Sequence, residues 1–334
     1  MKDHKAEKTE NTIKKVNSIN LLVCGLLTVV CGFYFVCYTK EPLTIKEKIT
    51  AYDDLGRKII LTKLPEKIAV ISGSIIPVIF ELGAGDKIVG VPDNIDISYP
   101  EICRRYPYIL KKIRIGGFSN PNIEKIISLN PDIVICYESS VNPGKYTEAL
   151  KKYGICFACF TTVENLSFGF EQINRLGILL GKKSESVKLI GNLKKDINKI
   201  VSKIRQNVNS KPLVYYWWGS GNGTYGRKAV INELIELSGG INLAGKFDKQ
   251  FMELSTEYVV MQNPDVIVIS YWKEKDREQK IAEIKNKPGF YQVKAVKNNR
   301  VYTIDGNSIH TPVRFPEAIH NLSKFIHPEL FEKK

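Results

Sequence analysis

Apolar residues follow three patterns along the chain. The first is continuous: Ile19 to Tyr38 is almost wholly apolar, and no charged residue lies between Lys15 and Lys40. About twenty helical residues rise roughly 30 Å, the hydrocarbon thickness of a bilayer. A buried core helix would need a folded domain on its N-terminal side, so an uncleaved membrane anchor is predicted here. Lipidation is the alternative, although Cys24, Cys31 and Cys37 each follow a Val rather than a small residue.

The second pattern is a series of short β-type runs, such as Ile59 to Leu61, Ile68 to Ile71 and Ile88 to Val91, with a helical stretch from Pro77 to Leu82. Strands alternating with helices predict an α/β lobe with a mainly parallel sheet, and the alternation resumes from Leu213. The third pattern lies between the two. From Ser184, read as an N-cap, apolar residues at Val187, Ile190, Leu193, Ile197, Ile200, Val201, Ile204 and Val208 follow three-and-four spacing, and no Gly other than Gly191 and no Pro interrupts them. The predicted architecture is therefore two Rossmann-like α/β lobes with mainly parallel sheets, joined by one long rigid α-helix and preceded by a transmembrane segment. Its parts are a cytoplasmic tail (1–18), the anchor (19–38), a stem (39–50), an N-terminal lobe (51–165), a helical connector (166–208) and a C-terminal lobe (209–334).

An internal echo relates the lobes. Glu124 to Tyr137 and Glu257 to Tyr271 both read as a short helix, an Asn-Pro-Asp turn and a hydrophobic strand, with Glu six residues before Asn130 in one copy and Asn263 in the other. Together with Asp53-Asp-Leu-Gly56-Arg57, Glu81-Leu-Gly-Ala-Gly-Asp86, Glu233-Leu-Ile-Glu-Leu-Ser-Gly239-Gly240 and Val296-Lys-Asn-Asn-Arg300-Val-Tyr302, these segments resemble the solute-binding proteins that serve ABC importers for ferric siderophores, haem and cobalamin. The resemblance covers nearly everything after the anchor. It implies a ligand held in a shallow cleft between two lobes that move little. It also implies one Glu near the tip of each lobe, here Glu124 and Glu257, docking on Arg residues of a permease dimer served by a cytoplasmic ATPase. A capping role competes, because Asn122 and Ser255 would place each Glu at the positive end of a helix.

In open α/β sheets ligands lie beyond the carboxyl ends of the strands. That rule nominates Ser74, Tyr137, Trp217, Trp218, Tyr225, Arg227, Tyr271, Trp272 and Arg314 for ligand binding. All three Trp of the chain fall at predicted strand ends, which suits a large, flat, partly apolar ligand. One of the adjacent pair Trp217 and Trp218 is expected to turn into the lobe core, since neighbouring strand residues face opposite ways. Arg227 and Arg314 would meet siderophore oxygens or haem propionates. Met252, Met261, His310, His320, His327 and several Tyr are the available haem ligands, and no motif pairs Met252 or His310.

Other chemistries fit less well. Cys156 and Cys159 form a C-x-x-C without the second pair a zinc site needs, and the strand-like context Gly-Ile-Cys-Phe-Ala-Cys-Phe favours two packed thiols. Gly221-Asn-Gly223-Thr-Tyr-Gly226 spells a dinucleotide-binding fingerprint, but the acidic residue that should follow a second strand is missing. No catalytic triad is evident, and neither enzyme activity nor a resident cofactor or bound metal is expected. The net charge of +14 is spread over dispersed Lys without a nucleic-acid module. It suits anionic chelates and an anionic envelope if the lobes face outward. The reading is a monomeric, membrane-anchored, extracytoplasmic receptor that hands an iron chelate, a ferric siderophore first, to an ABC permease. Haem and cobalamin are the ligand alternatives, and a tethered sensor without a permease is the functional one.

Overall fold

The computed structural model describes residues 48–117, 119–137 and 142–331. The expected anchor falls on residues 19–38 and so lies outside them; among the described residues no helix is long and apolar enough to cross a membrane. The chain enters through an antiparallel hairpin of β1 (Ile49–Tyr52) and β2 (Lys58–Leu61). A five-stranded sheet follows, built from β3 (Ile68–Val70), β4 (Ile88–Val91), β5 (Ile113–Arg114), β6 (Ile133–Tyr137) and β7 (Cys156–Phe160), in the order β5-β4-β3-β6-β7. Every pairing in it is parallel.

The second lobe contains β8 (Leu213–Trp217), β9 (Gly223–Tyr225), β10 (Ile241–Asn242), β11 (Phe251–Glu253), β12 (Val266–Tyr271) and β13 (Val301–Asp305). Its main sheet is again parallel, in the order β10-β8-β12-β13, while β9 and β11 form a separate antiparallel pair.

Burial on both faces explains why the strands read as unbroken hydrophobic runs. On β6, Ile133, Ile135 and Tyr137 enter one core while Val134 and Cys136 enter the core on the other side. On β12, Val266 and Val268 oppose Ile267 and Ile269 in the same way. The sequence echo has a structural counterpart. In each Asn-Pro-Asp turn the Asn is left-handed, with φ of 45° at Asn130 and 50° at Asn263. The Asp that follows accepts backbone N–H bonds at the entrance of the neighbouring strand: Asp132 from Glu66 and Lys67, Asp265 from Leu213.

The connector is a pair of helices, Leu166–Leu179 and Lys183–Asn207. They pack closely because Gly177 faces Ser186, where a Cβ would lie 2.5 Å from the Ser186 side chain. Ser184 is not the N-cap: that position belongs to Lys182, and the Ser184 hydroxyl donates to Glu185. Val187, expected on the apolar face, is 61% exposed. The remaining stripe spans both lobes, since Leu193 packs into the first lobe's core while Ile197 and Val201 pack into the second's. One apolar face thereby fastens two sheets to one rod.

The two cysteines of the C-x-x-C part company. Cys156 points toward the hairpin, with its Sγ 3.5 Å from the Ile60 carbonyl. The Cys159 thiol instead meets Cys136 across the β6–β7 pairing, Sγ to Sγ 3.5 Å.

Candidate functional site

The strand ends of the two lobes face a cleft whose inner part is a cavity of about 480 Å³. The second lobe supplies its aromatic wall. Alternation along β8 turns Trp217 into the core, where its indole N–H donates to the Gly221 carbonyl at 3.1 Å. The next residue, Trp218, then faces the cleft, and its backbone N–H is held by the Gly223 carbonyl at 2.9 Å. Tyr225 on β9 stands 5.4 Å from Trp218, centroid to centroid, and Trp272 just beyond β12 stands 5.5 Å from it. Asn242 secures Tyr225 by donating its side-chain N–H to the Tyr225 carbonyl at 3.0 Å.

Trp272 lies against Gly306, where a Cβ would approach the indole to 3.0 Å. That contact brings Trp272 parallel to His310, at 5.7 Å and 12°. Burial without a compensating charge drives the His310 pKa down to about 4, so the imidazole is neutral near pH 7.

The first lobe contributes hydroxyls. Ser72 and Ser74 follow β3 and share a 2.9 Å hydrogen bond. Tyr99 lies flat over Gly73, where a Cβ would collide with its ring, and Tyr137 closes the end of β6. Desolvation raises the pKa of both Tyr99 and Tyr137, which keeps the phenols protonated as donors. Among the described residues one direct bond crosses the cleft, from the Asn307 side-chain N–H to the Ser98 carbonyl at 3.0 Å.

Outward from Tyr99 and Trp272 the cleft opens into a polar cavity of about 770 Å³. Tyr271 lines it, its pKa pushed up to about 12 chiefly by burial. Arg314 lines it too, already paired with Asp305 at 2.6 Å and bidentate to Glu317 at 2.7 and 2.9 Å.

Of the residues nominated from the sequence, Ser74, Tyr137, Trp218, Tyr225 and Trp272 meet around the inner cavity, and Tyr271 and Arg314 line the outer one. Two lie elsewhere. Trp217 is wholly buried, and Arg227 is an exposed residue paired with Asp248 at 3.0 Å. The glycine fingerprint is a turn followed by strand β9, which pairs antiparallel with the distant β11, not a strand-to-helix phosphate loop. At Gly226 the chain passes so near Phe247 and Lys249 that a Cβ would sit 2.6 to 2.7 Å from their carbonyl oxygens.

Of the Met and His haem-ligand candidates His310 lines the cleft, as do the tyrosines Tyr99, Tyr137, Tyr225 and Tyr271, while Met252 packs against a core of the second lobe. His327 is bound to Gly239 and Glu329, Met261 is 69% exposed, and His320 packs edge-on against Phe331. Among the described residues no group of three or more His, Cys, Asp or Glu is placed to hold a metal ion.

Sequence reasoning passed over Tyr99 and Asn307, whereas Ser72 lies in the strand-end segment Ser72-Gly73-Ser74 that the rule points to. Tyr99 sits between two short helices, Ile95–Ser98 and Pro100–Arg105, not at a strand end, so the strand-end rule had no purchase on it. Glu124 and Glu257 are each exposed at the second position of a short helix, behind Asn122 and Ser255 caps. Neither has an ion-pair partner among the described residues.

A family profile described as periplasmic binding protein matches residues 68–307. A Bacillus subtilis protein named as an uncharacterized ABC transporter substrate-binding lipoprotein, YvrC, is 26% identical over 298 residues, covering 85% of this chain and 87% of its own. A cobalamin-binding protein of Halobacterium salinarum is 24% identical over 283 residues, 82% and 74% of the two chains. Among solved structures, the periplasmic heme-binding protein RhuT of Roseiflexus sp. RS-1 superimposes with a TM-score of 0.68 at 22% identity, covering 79% of this chain and all of that one. That last likeness concerns the fold alone.

Proposed function

The chain belongs to the periplasmic binding protein family, and we propose that it is the extracytoplasmic solute-binding component of an ABC importer, taking a large, flat chelate of low net charge, a corrinoid first. The observation that carries this reading is the inner cavity: Trp218, Tyr225, Trp272 and neutral His310 face Tyr99, Tyr137 and two serines, with no guanidinium among the lining residues. Rings of this kind bury a broad apolar face, and the opposing hydroxyls orient its polar edge. The names of relatives that bind cobalamin agree with it.

An anionic ferric siderophore is the second reading. Exposed Lys273 at the mouth of the cavity favours it, while the pairing of Arg227 and Arg314 with carboxylates weighs against it. The receptor acts as a monomer tethered to the membrane by its N-terminal segment, through either the apolar run or a lipid, and involves no covalent chemistry.

Glu124 and Glu257 dock on the permease dimer. Two equivalent exposed carboxylates, one per lobe, suit a two-fold partner. Trp-fluorescence quenching of the full chain in lipid nanodiscs, titrated with cyanocobalamin, haem and a ferric catecholate, tests the ligand. Cyanocobalamin should bind most tightly, and failure to bind below roughly 10 μM, about −7 kcal/mol, rejects the corrinoid reading. Charge reversal at Glu124 and Glu257 should abolish uptake while leaving affinity intact; unchanged uptake rejects docking.

A further inference from the structure

The loop that joins Trp218 to β9, Gly219-Ser-Gly-Asn-Gly223, overlaps the glycine fingerprint and does not fix its own shape. Gly219 and Gly221 are left-handed, with φ of 94° and 54°, and a Cβ on Gly219 would lie 2.5 Å from the Ser270 carbonyl oxygen. Glycines of this kind fit a strained path but hold no single conformation by themselves.

The shape is imposed from outside. Lys280 Nζ donates to the Gly219 carbonyl and Lys287 Nζ to the Gly221 carbonyl. Lys287 also donates to Asn222 Oδ1 at 2.6 Å. Both ammoniums lie over the buried Trp217 ring, 5.5 and 4.8 Å from its centroid. Bonds from a charged donor are roughly twice as strong as neutral ones, so these two lysines clamp the loop.

The clamped loop touches two places. Toward the cleft, the Gly223 carbonyl accepts the Trp218 backbone N–H at 2.9 Å, and Trp218 lines the inner cavity. Away from it lies the helix Thr256–Gln262, whose second residue is Glu257. The Asn222 carbonyl accepts the Leu254 N–H at 3.2 Å, and the Asn222 side-chain N–H donates to the Thr256 hydroxyl at 3.3 Å. Neither Asn222 nor Thr256 lines a cavity of the cleft. Between the helix and the bond that holds Trp218 there is thus a single residue, Asn222.

Resting on the reading that Glu257 docks on the permease, we propose that Asn222 is a positioning residue that couples the docking helix to Trp218. A ligand stacked on Trp218 steadies the loop and, through Asn222, the first turn of the helix. A permease that holds the helix acts on Trp218 in return, because coupling between two binding sites is reciprocal.

The test uses the full chain in nanodiscs, labelled with 5-fluorotryptophan. Its three Trp give separate fluorine resonances, and that of Trp218 is the one lost in Trp218→Phe. Thr256→Val removes the bonded hydroxyl while keeping the Ser255 cap and Glu257. It should displace the Trp218 resonance in the ligand-free chain, and Thr256→Ser, which keeps the hydroxyl, should leave it in place. In hydrogen exchange, whichever of cyanocobalamin, haem and a ferric catecholate binds should slow the amides of Tyr258 to Gln262 at least about fivefold, and Thr256→Val should cancel that protection.

A Trp218 resonance that stays in place in Thr256→Val overturns the link, as does ligand protection of the helix that survives this substitution. Should none of the three probes bind, the ligand-free resonance decides alone. A displaced resonance with unchanged uptake on charge reversal at Glu257 keeps the link and removes the docking reading. Lost uptake with an unmoved resonance does the opposite.

Discussion

The two lobes share a scaffold and diverge at the cleft. Each hangs its sheet on a left-handed Asn, a Pro and an Asp that fastens the next strand. At the ligand side the first lobe ends its strands in hydroxyls and the second in rings. The scaffold is repeated because its task, closing a helix onto a buried parallel strand, is the same in both halves. The cleft faces differ as the proposed ligand, with an apolar face and a polar edge, would require.

The sharpest way to break this contrast is to remove a ring. Trp272→Ala deletes the surface that stacks on His310 and packs at a tilt against Trp218, and should weaken ligand binding by about 2–3 kcal/mol in calorimetry, with Trp218→Ala close behind. An unchanged affinity would mean that the ligand does not lie on the second lobe's wall.

The next effect concerns stability. The His310 pKa of about 4 lies below the usual 6.5 of an unfolded chain. The unfolded state therefore binds more protons between these values, and the stability contribution is complete above pH 6.5 and lost as pH falls through 4. The unfolding free energy from urea titrations should drop over that window by up to about 3 kcal/mol from this group, and His310→Phe should flatten the decline.

A smaller effect separates the two turns. Asp132 accepts two backbone bonds and pairs with Lys63 at 2.7 Å, whereas Asp265 accepts one and pairs with Lys294 at 3.5 Å. Asp132→Ala should cost about 2–3 kcal/mol and Asp265→Ala about 1 kcal/mol in denaturant titrations. Burial opposes ionisation of Asp132, but the Lys63 bond and the two backbone N–H groups prevail and hold its pKa below the usual value. Its contribution is thus present above the unfolded carboxylate range and lost as pH falls, and Asp132→Ala should remove that part of the acid sensitivity. The smallest effect should be Ser74→Ala, which removes one hydroxyl from the polar wall and should weaken binding by less than about 1 kcal/mol. A loss as large as that at Trp272 would invert the roles of the two walls.

The hydrophobic pattern was sufficient for the parallel sheets, the long helix and the repeated turn, because each follows from local periodicity and from which residues tolerate a tight turn. It also placed Tyr137, Trp218, Tyr225 and Trp272 at strand ends, though not Tyr99, and the alternation rule correctly required that one of Trp217 and Trp218 be lost to the core. It could not say which one, because that depends on which face of β8 the second core occupies. Nor could it know that Arg227 pairs with Asp248, about twenty residues away, or that Arg314 reaches back to Asp305 across the helix Gly306–His310, although its other partner, Glu317, is only three residues on.

Sequence by itself therefore determined the elements, their order and the kinship of the two lobes, all of which rest on contacts between near neighbours or on a period of two or 3.6. Tertiary structure alone decided the chemistry of the cleft. It brought Tyr99 over Gly73 and His310 under Trp272, set the free thiol of Cys159 against that of Cys136 and not that of Cys156, and surrounded the outer cavity of a basic chain with carboxylates. Charge and burial at a site are sums over residues far apart in sequence, and only the folded arrangement sets which of them meet.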